Sequence, residues 1–392
     1  MLKQLCRSGG VAVAVVAVTM SAVGYAQTAS APSPSDVVSH SQTPPPASAA
    51  VSAWHAQFSK GWNPPKTPWG DPDMQGNFTW VDEVGTPMER PAKYEGRNLN
   101  SFTQAEMDAL NLGALEQLAE ADRGAGGGGA TEHWYDRAGL YQKNTRPWFM
   151  LEPVDGKVPP LAPEAVPLAA RPTRTAGTGA NGWKPRYTAT ENVDPSGNPA
   201  DHPNSYLDWD LDERCIIGSD GALGMFSQPH GNLGFIVQTP DYVVFQVEEL
   251  LATRVIPIKG RGGEQRLSHD LRPYAGDSLA WFEGNTMVVE TVYPAKAPDV
   301  FSAPPQSTRV IERYTRRTAP EGIEWTMTVE NPSWWVRPWT WQQRLTEDDR
   351  QVAFEYVCHE TNHSIVNSLS GARDIERRAA ERAKRQAAQG GR

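Results

Sequence analysis

The residues whose types and spacing best suit chemistry lie near the C-terminus, in His359-Glu360-Thr361-Asn362-His363. On a helix the H-E-x-x-H spacing puts two imidazoles on one face to bind zinc and leaves the glutamate as general base. A zinc site needs a third protein ligand, and after His363 the main candidates are Glu376 and Glu381. His359 also ends a segment, Val352 to His359, whose pattern predicts a strand, so the two imidazoles need not share a helix. The preferred reading uses no metal and no cofactor: His359 and Glu360 act as an acid/base pair, with Asp277 and Tyr356 nearby and Arg337 as an anion anchor.

Asp277 belongs to a second cluster, Gly276 to Thr286, just before a predicted strand, where it can face a barrel mouth or simply cap a turn. A third set comprises carboxylates on predicted strands: Glu248, Glu290, Glu312, Glu324, Glu330 and Glu355. On an outer wall they are solvated. Turned inward they are costly unless paired, and their pKa values then shift toward catalytic use. Arg309, Arg313 and Arg337 are the partners that the sequence offers. Tryptophan is abundant, with 14 in 392 residues, and Trp334, Trp335, Trp339 and Trp341 are close together. Flat aromatic faces stack sugars, aromatic compounds and cations. Core filling and barrel closure is the first reading of these tryptophans; if some instead face a ligand, Trp281, Trp335 and Trp339 are the candidate platforms.

Something must position these groups, and the pattern from about Tyr206 onward is strand-like. The expected strands are Gly234 to Thr239, Tyr242 to Glu249, Thr253 to Ile258, Leu279 to Glu283, Thr286 to Tyr293, Arg309 to Arg316, Ile323 to Glu330 and Val352 to His359. Gly284-Asn285 is a two-residue hairpin turn. Ile323, Trp325, Met327 and Val329 alternate with Glu324, Thr326, Thr328 and Glu330, as a half-buried strand requires. This is a mainly β chain, expected to form an antiparallel up-and-down barrel of lipocalin or calycin type, with a β-sandwich as the alternative. The core spans residues 206–371. An irregular wrap over 54–205 precedes it, with a helix at about 103–122 opened by the capping box Thr103-Gln104-Ala105-Glu106. A polar helix at 372–392 follows. The glycine run Gly124 to Gly129 lacks the Lys-Ser/Thr of a phosphate loop and reads as a connector.

Residues 1–26 read as a cleavable secretory signal: Lys3 and Arg7, an apolar stretch, then small residues at Gly24 and Ala26. Residues 27–53 read as a Pro/Ser/Ala-rich spacer. The apolar stretch is shorter than the roughly 20 residues that a spanning helix needs. Export to the periplasm is expected, with the extracellular space as the alternative. The net charge of −9 becomes more negative by two on losing Lys3 and Arg7, which argues against nucleic acid or an anionic membrane as main partner. No stable membrane insertion is expected. Two cysteines remain, Cys215 and Cys358, and an oxidising compartment favours a disulfide between them over two buried thiols.

Several motifs together resemble a widespread family of exported bacterial proteins of unknown activity: Thr67-Pro68-Trp69-Gly70-Asp71-Pro72-Asp73-Met74-Gln75-Gly76, Gly85 to Pro91, Gln238 to Val244, Gly276-Asp277-Ser278 with Trp281 and Glu283-Gly284, Arg337-Pro338-Trp339-Thr340, and Tyr356 to Glu360 with Asn362. The likeness covers most of 65–373 and implies no mechanism. In similar proteins an aromatic residue often follows the Asn, which makes His363 a departure and favours His359 and Glu360 as the pair.

The expected function is an exported barrel binding a small aromatic or sugar-like organic ligand. As an enzyme it would be a metal-independent lyase, isomerase or hydrolase; the alternatives are a non-enzymatic periplasmic carrier and a zinc hydrolase using His359, Glu360 and His363. No oligomeric state follows from the sequence.

Overall fold

The computed structural model describes residues 45–83, 86–113, 146–169, 231–261, 267–294, 303–318, 321–350 and 355–390, with isolated positions at 206, 211, 214–217, 297, 300 and 301. The signal segment, the spacer before residue 45 and residues 114–122 of the expected helix lie outside the described residues.

A helix, α1 (Ala49–Ser59), starts inside the stretch read as spacer. Ser48 caps it, its hydroxyl accepting from the Val51 N–H at 3.1 Å. Val51, Trp54 and His55 are buried, and their spacing places them on one helical face. The capping box forms as expected: Glu106 accepts from the Thr103 N–H at 2.8 Å, and residues 104–113 are helical.

The strands are β1 (Gly76–Thr79), β2 (Met150–Glu152), β3 (Leu233–Gln238), β4 (Tyr242–Val247), β5 (Thr253–Pro257), β6 (Asp277–Glu283), β7 (Thr286–Val292), β8 (Arg309–Arg316), β9 (Ile323–Glu330) and β10 (Trp339–Glu347). They form a nearly closed antiparallel barrel in the order β5-β4-β3-β1-β10-β9-β8-β7-β6, with β2 added beside β10. Between β5 and β6 the wall is joined by a parallel bridge, Ile258 to Ala280, reinforced by the Lys259 N–H donating to the Ala280 carbonyl at 2.7 Å.

Three features differ from the expected meander. The wrap supplies a wall strand: β1 pairs with β3 (Phe78 opposite Gly234) and with β10 (Phe78 opposite Glu347). A four-residue strand whose partners are more than 150 positions away leaves almost no local signature. The tryptophan-rich segment is itself a strand, β10, with Trp339, Trp341, Gln343 and Leu345 opposite the inward residues of β9. Finally, the strand expected to end at His359 is not formed by its described residues: 355–357 are irregular and Cys358–Thr361 is one helical turn. A disulfide from Cys215 to Cys358 anchors that turn, and the Cys358 N–H folds back onto the Tyr356 carbonyl at 2.9 Å. Helix Ser364–Gly390 follows, starting eight residues earlier than expected.

The inward rows explain the closure. Trp325, Met327 and Val329 of β9, Val310 and Tyr314 of β8, and Trp339 and Leu345 of β10 are all buried. Tyr314 stacks on Trp325 at 6.4 Å and leans on Phe245 at 5.1 Å. The Gly284-Asn285 turn joins β6 to β7, with Gly284 at φ +63°, as such a hairpin requires.

Candidate functional site

Alternation along β8, β9 and β10 sends Ile311, Thr328 and Thr340 to the outside of the barrel in one cross-strand row, which β2 extends to Glu152. Arg313 and Glu330 occupy the flanking rows. Residues Pro46, Ala47 and Ser48, together with Val51 of α1, rise beside this row, and Arg337 and Pro338 stand at its end. They enclose a groove of about 540 Å³, within the ordinary range for a small-ligand site.

The charges in the groove are unequally satisfied. Glu152 accepts from the Ser48 hydroxyl at 2.7 Å and the Thr340 hydroxyl at 3.4 Å, both through Oε2. Glu330 pairs with Arg309 at 3.4 Å. Arg337 pairs with Asp155 at 3.4 Å, and both side chains are about half exposed. Arg313 is different: it is 3% exposed, it donates Nη2 to the Pro45 carbonyl at 3.2 Å, and its Nε has no hydrogen-bond partner. The nearest carboxylate, Glu283, is 3.9 Å from that nitrogen, too far for a hydrogen bond. Burial weakens the hold of this guanidinium on its proton, only partly offset by Glu283 and Glu330.

Beside the groove, α1 is fixed to the barrel by polar contacts. The Trp54 indole donates to Glu324 at 2.8 Å. His55 lies between the Thr315 and Thr326 hydroxyls, 2.8 Å from each. Arg146 bridges Glu83 at 3.1 Å and Glu324 at 2.8 Å and reaches Gln342. Burial pushes Glu324 upward, but Arg146 and Arg317 outweigh it and hold the carboxyl below the ordinary range. Glu83 goes the other way, because burial exceeds what Arg146 supplies. Glu324 thus points outward yet is fully buried, because the N-terminal segment covers it.

A second polar group lies inside the barrel. Glu312 pairs with Arg254 at 2.6 Å. Arg254 also donates to the Thr291 hydroxyl at 3.1 Å and the Ser278 hydroxyl at 3.3 Å, and Tyr314 donates to Glu312. Burial, then the Glu312 charge, raises the Tyr314 phenol well above its ordinary value. The strand carboxylates therefore find partners other than those offered by the sequence pattern: Arg254 for Glu312, Arg146 and Arg317 for Glu324. Of the expected partners, Arg309 does pair with them among the described residues, beside Glu290 at 3.2 Å and Glu330 at 3.4 Å.

Of the five sequence-selected catalytic candidates, Arg337 is the one that lines the groove. Asp277 begins β6 and accepts from the Leu267 N–H at 3.3 Å. Four strand steps separate β6 from β10, roughly 19 Å along the wall. His359 and Glu360 are exposed on the turn beside the disulfide, and Tyr356 just before them is half-buried. Among the described residues no group of three His, Cys, Asp or Glu side chains is arranged to hold a metal ion, so the zinc reading finds no third ligand there. Trp335 and Trp339 pack edge to face on each other at 5.5 Å, and Phe301 covers Trp339 at 4.9 Å. Both belong to the core rather than to an open platform. Trp281 points outward, half-buried, with its indole donating to Glu283 at 3.0 Å and Lys259 over its ring.

Sequence reasoning missed Ser48, Glu152 and Thr340, because each owes its role to a neighbour far along the chain. Arg313 was noted only as a partner for carboxylates. Two of the motifs that carry the family resemblance, 67–76 and 238–244, meet at a joint between the wrap and the barrel. Asp71 pairs with Arg261 at 2.6 Å, Arg261 also reaches the Pro240 carbonyl at 2.6 Å, and Gln238 donates to the Pro72 carbonyl at 3.2 Å.

No family profile matches the chain, and neither a curated protein nor a solved structure is significantly similar to it. The motif resemblance is carried by none of these comparisons. No helix among the described residues is long and apolar enough to cross a membrane.

Proposed function

We propose that this chain is an exported ligand-binding barrel protein whose ligand, a small polar organic molecule, lies in the outer groove over β8, β9 and β10. The observation that carries this reading is a groove of about 540 Å³ whose wall holds the cations Arg313 and Arg337. The groove also supplies hydroxyls at Ser48, Thr328 and Thr340 and carboxylates at Glu152 and Glu330. Such a lining suits a hydroxylated ligand better than an aromatic one. The leader-like N-terminus and the disulfide support export.

The test is calorimetric titration of the mature protein with a panel of sugars, sugar acids and amino sugars, repeated on Ala47→Trp and Thr328→Trp, which fill the groove from its rim and its floor. Binding that both variants abolish, with unfolding midpoints retained, is expected. Binding that survives both places the ligand elsewhere.

A further inference from the structure

We propose that the ligand is a hydroxylated primary amine of the amino-sugar class, its ammonium held by Glu152 and its hydroxyls lying along Thr328 toward Glu330. The proposal rests on the groove being the binding site. Two independent features point to a cationic donor. The first is the pairing of charges. Arg337 faces Asp155 at 3.4 Å, Arg313 faces Glu283 at 3.9 Å, and Arg309 is shared by Glu290 at 3.2 Å and Glu330 at 3.4 Å. Each of these arginines therefore has a carboxylate opposite it. Glu152 differs among the described residues: its partners are two hydroxyls, Ser48 at 2.7 Å and Thr340 at 3.4 Å, and no cation. Both hydroxyls line the groove, which sets the carboxylate within it. The positive end of α1 offsets only part of that charge, since a helix end amounts to about half a unit charge. The surplus charge of the groove is negative.

The second feature is the direction of the hydrogen bonds. A hydroxyl has one proton to donate. Ser48 gives its proton to Glu152, and its oxygen accepts from the Val51 N–H. Thr340 also gives its proton to Glu152, so in the 3.0 Å contact between Thr328 and Thr340 the Thr328 hydroxyl is the donor. All three hydroxyl protons are thus spent on neighbours in the groove. What remains for a ligand is acceptor capacity: the Thr328 oxygen, the Glu330 carboxylate, and Oε1 of Glu152, whose two bonds both use Oε2. An ammonium is three donors with no acceptor, the complement of this lining in both charge and polarity. An anion meets like charge at Glu152 and Glu330, and a neutral sugar leaves the Glu152 charge unmatched.

Calorimetric titration of the mature protein with D-glucosamine, against D-glucose, N-acetyl-D-glucosamine and D-gluconate, tests the assignment. D-glucosamine is expected to bind about tenfold or more tightly than the other three, the least that a hydrogen bond to a charged group contributes. Glu152→Gln should weaken it about tenfold with the unfolding midpoint retained. Should that variant fail to fold, the wild type decides the matter: raising the pH until the amine is neutral should cost a similar factor. Any of the three comparison sugars binding as tightly as D-glucosamine, an affinity indifferent to Glu152→Gln or to neutralising the amine, or no binding of D-glucosamine at millimolar concentration overturns the assignment. The groove reading fails separately, if D-glucosamine binds but Ala47→Trp and Thr328→Trp leave its affinity unchanged.

Discussion

Replacing His55 by Gln should flatten the pH dependence of stability between about pH 6.5 and 4. His55 is buried between two threonine hydroxyls beneath α1. Burial pulls its pKa from 6.5 down to about 4, the Arg313 charge adds to that, and the Glu324 carboxylate opposes it. The other charges close to this pocket are Arg146 and Arg317, both bound to Glu324. Within this window the unfolded chain binds a proton that the folded chain refuses, so stability rises with pH there. The contribution is complete above pH 6.5 and is lost as pH falls toward 4. At about 1.4 kcal/mol per pKa unit, the full swing is roughly 3 kcal/mol, with about 2 kcal/mol gone by pH 5. Urea unfolding of wild type and His55→Gln at half-unit pH steps, disulfide intact, reads the difference directly. Gln still offers hydrogen bonds to the threonines but does not titrate, so the two stability curves should converge as the pH falls. Parallel curves from pH 7 to 4.5 would refute both the neutral state of His55 and its role in fixing α1.

Three further outcomes are expected. Glu312→Gln leaves the Arg254 guanidinium buried without its counter-charge and should cost about 3–5 kcal/mol in urea unfolding, whereas Arg254→Met with Glu312→Leu should recover most of that; equal losses would assign the network a different role. Cys215→Ser with Cys358→Ser opens a loop of 143 positions, a loss of about 5 kcal/mol on chain-entropy grounds. Reductant should reproduce that loss in the wild type, and unchanged midpoints in both would count against the bridge. Gly322→Ala sets a Cβ 1.9 Å from the Leu345 carbonyl at a φ of +84°. It should lower stability by more than about 1–2 kcal/mol, the backbone cost alone; a neutral midpoint would show that the β8–β9 turn, which packs on β10, yields easily.

The strands that could be read from sequence are those whose partners lie next to them in the chain. Arg309–Arg316 and Ile323–Glu330 form over the expected residues because the inward row Ile323, Trp325, Met327, Val329 is apolar and the outward row is not. The alternation failed as a guide to solvent. Glu324 and Thr326 were on the polar face and are nonetheless fully buried, since α1 and Arg146 cover that face from more than 170 positions away. The tryptophans were ambiguous for a related reason: aromatic residues serve cores and ligand platforms alike, and neighbours such as Phe301 decide between them.

By itself the sequence determined the local terms: strand alternation, the Gly284-Asn285 turn, the capping box at Thr103, and a cysteine pair able to bridge. Each depends on residues within a few positions of one another, or on composition alone. Tertiary structure alone decided that β1 closes the gap between β3 and β10. It also decided that Glu312 meets Arg254 inside the wall, and that Arg313 becomes a buried, half-satisfied cation beside the start of α1. These are non-local pairings, and the desolvation that gives a charge its chemistry exists only once distant segments have excluded water from it.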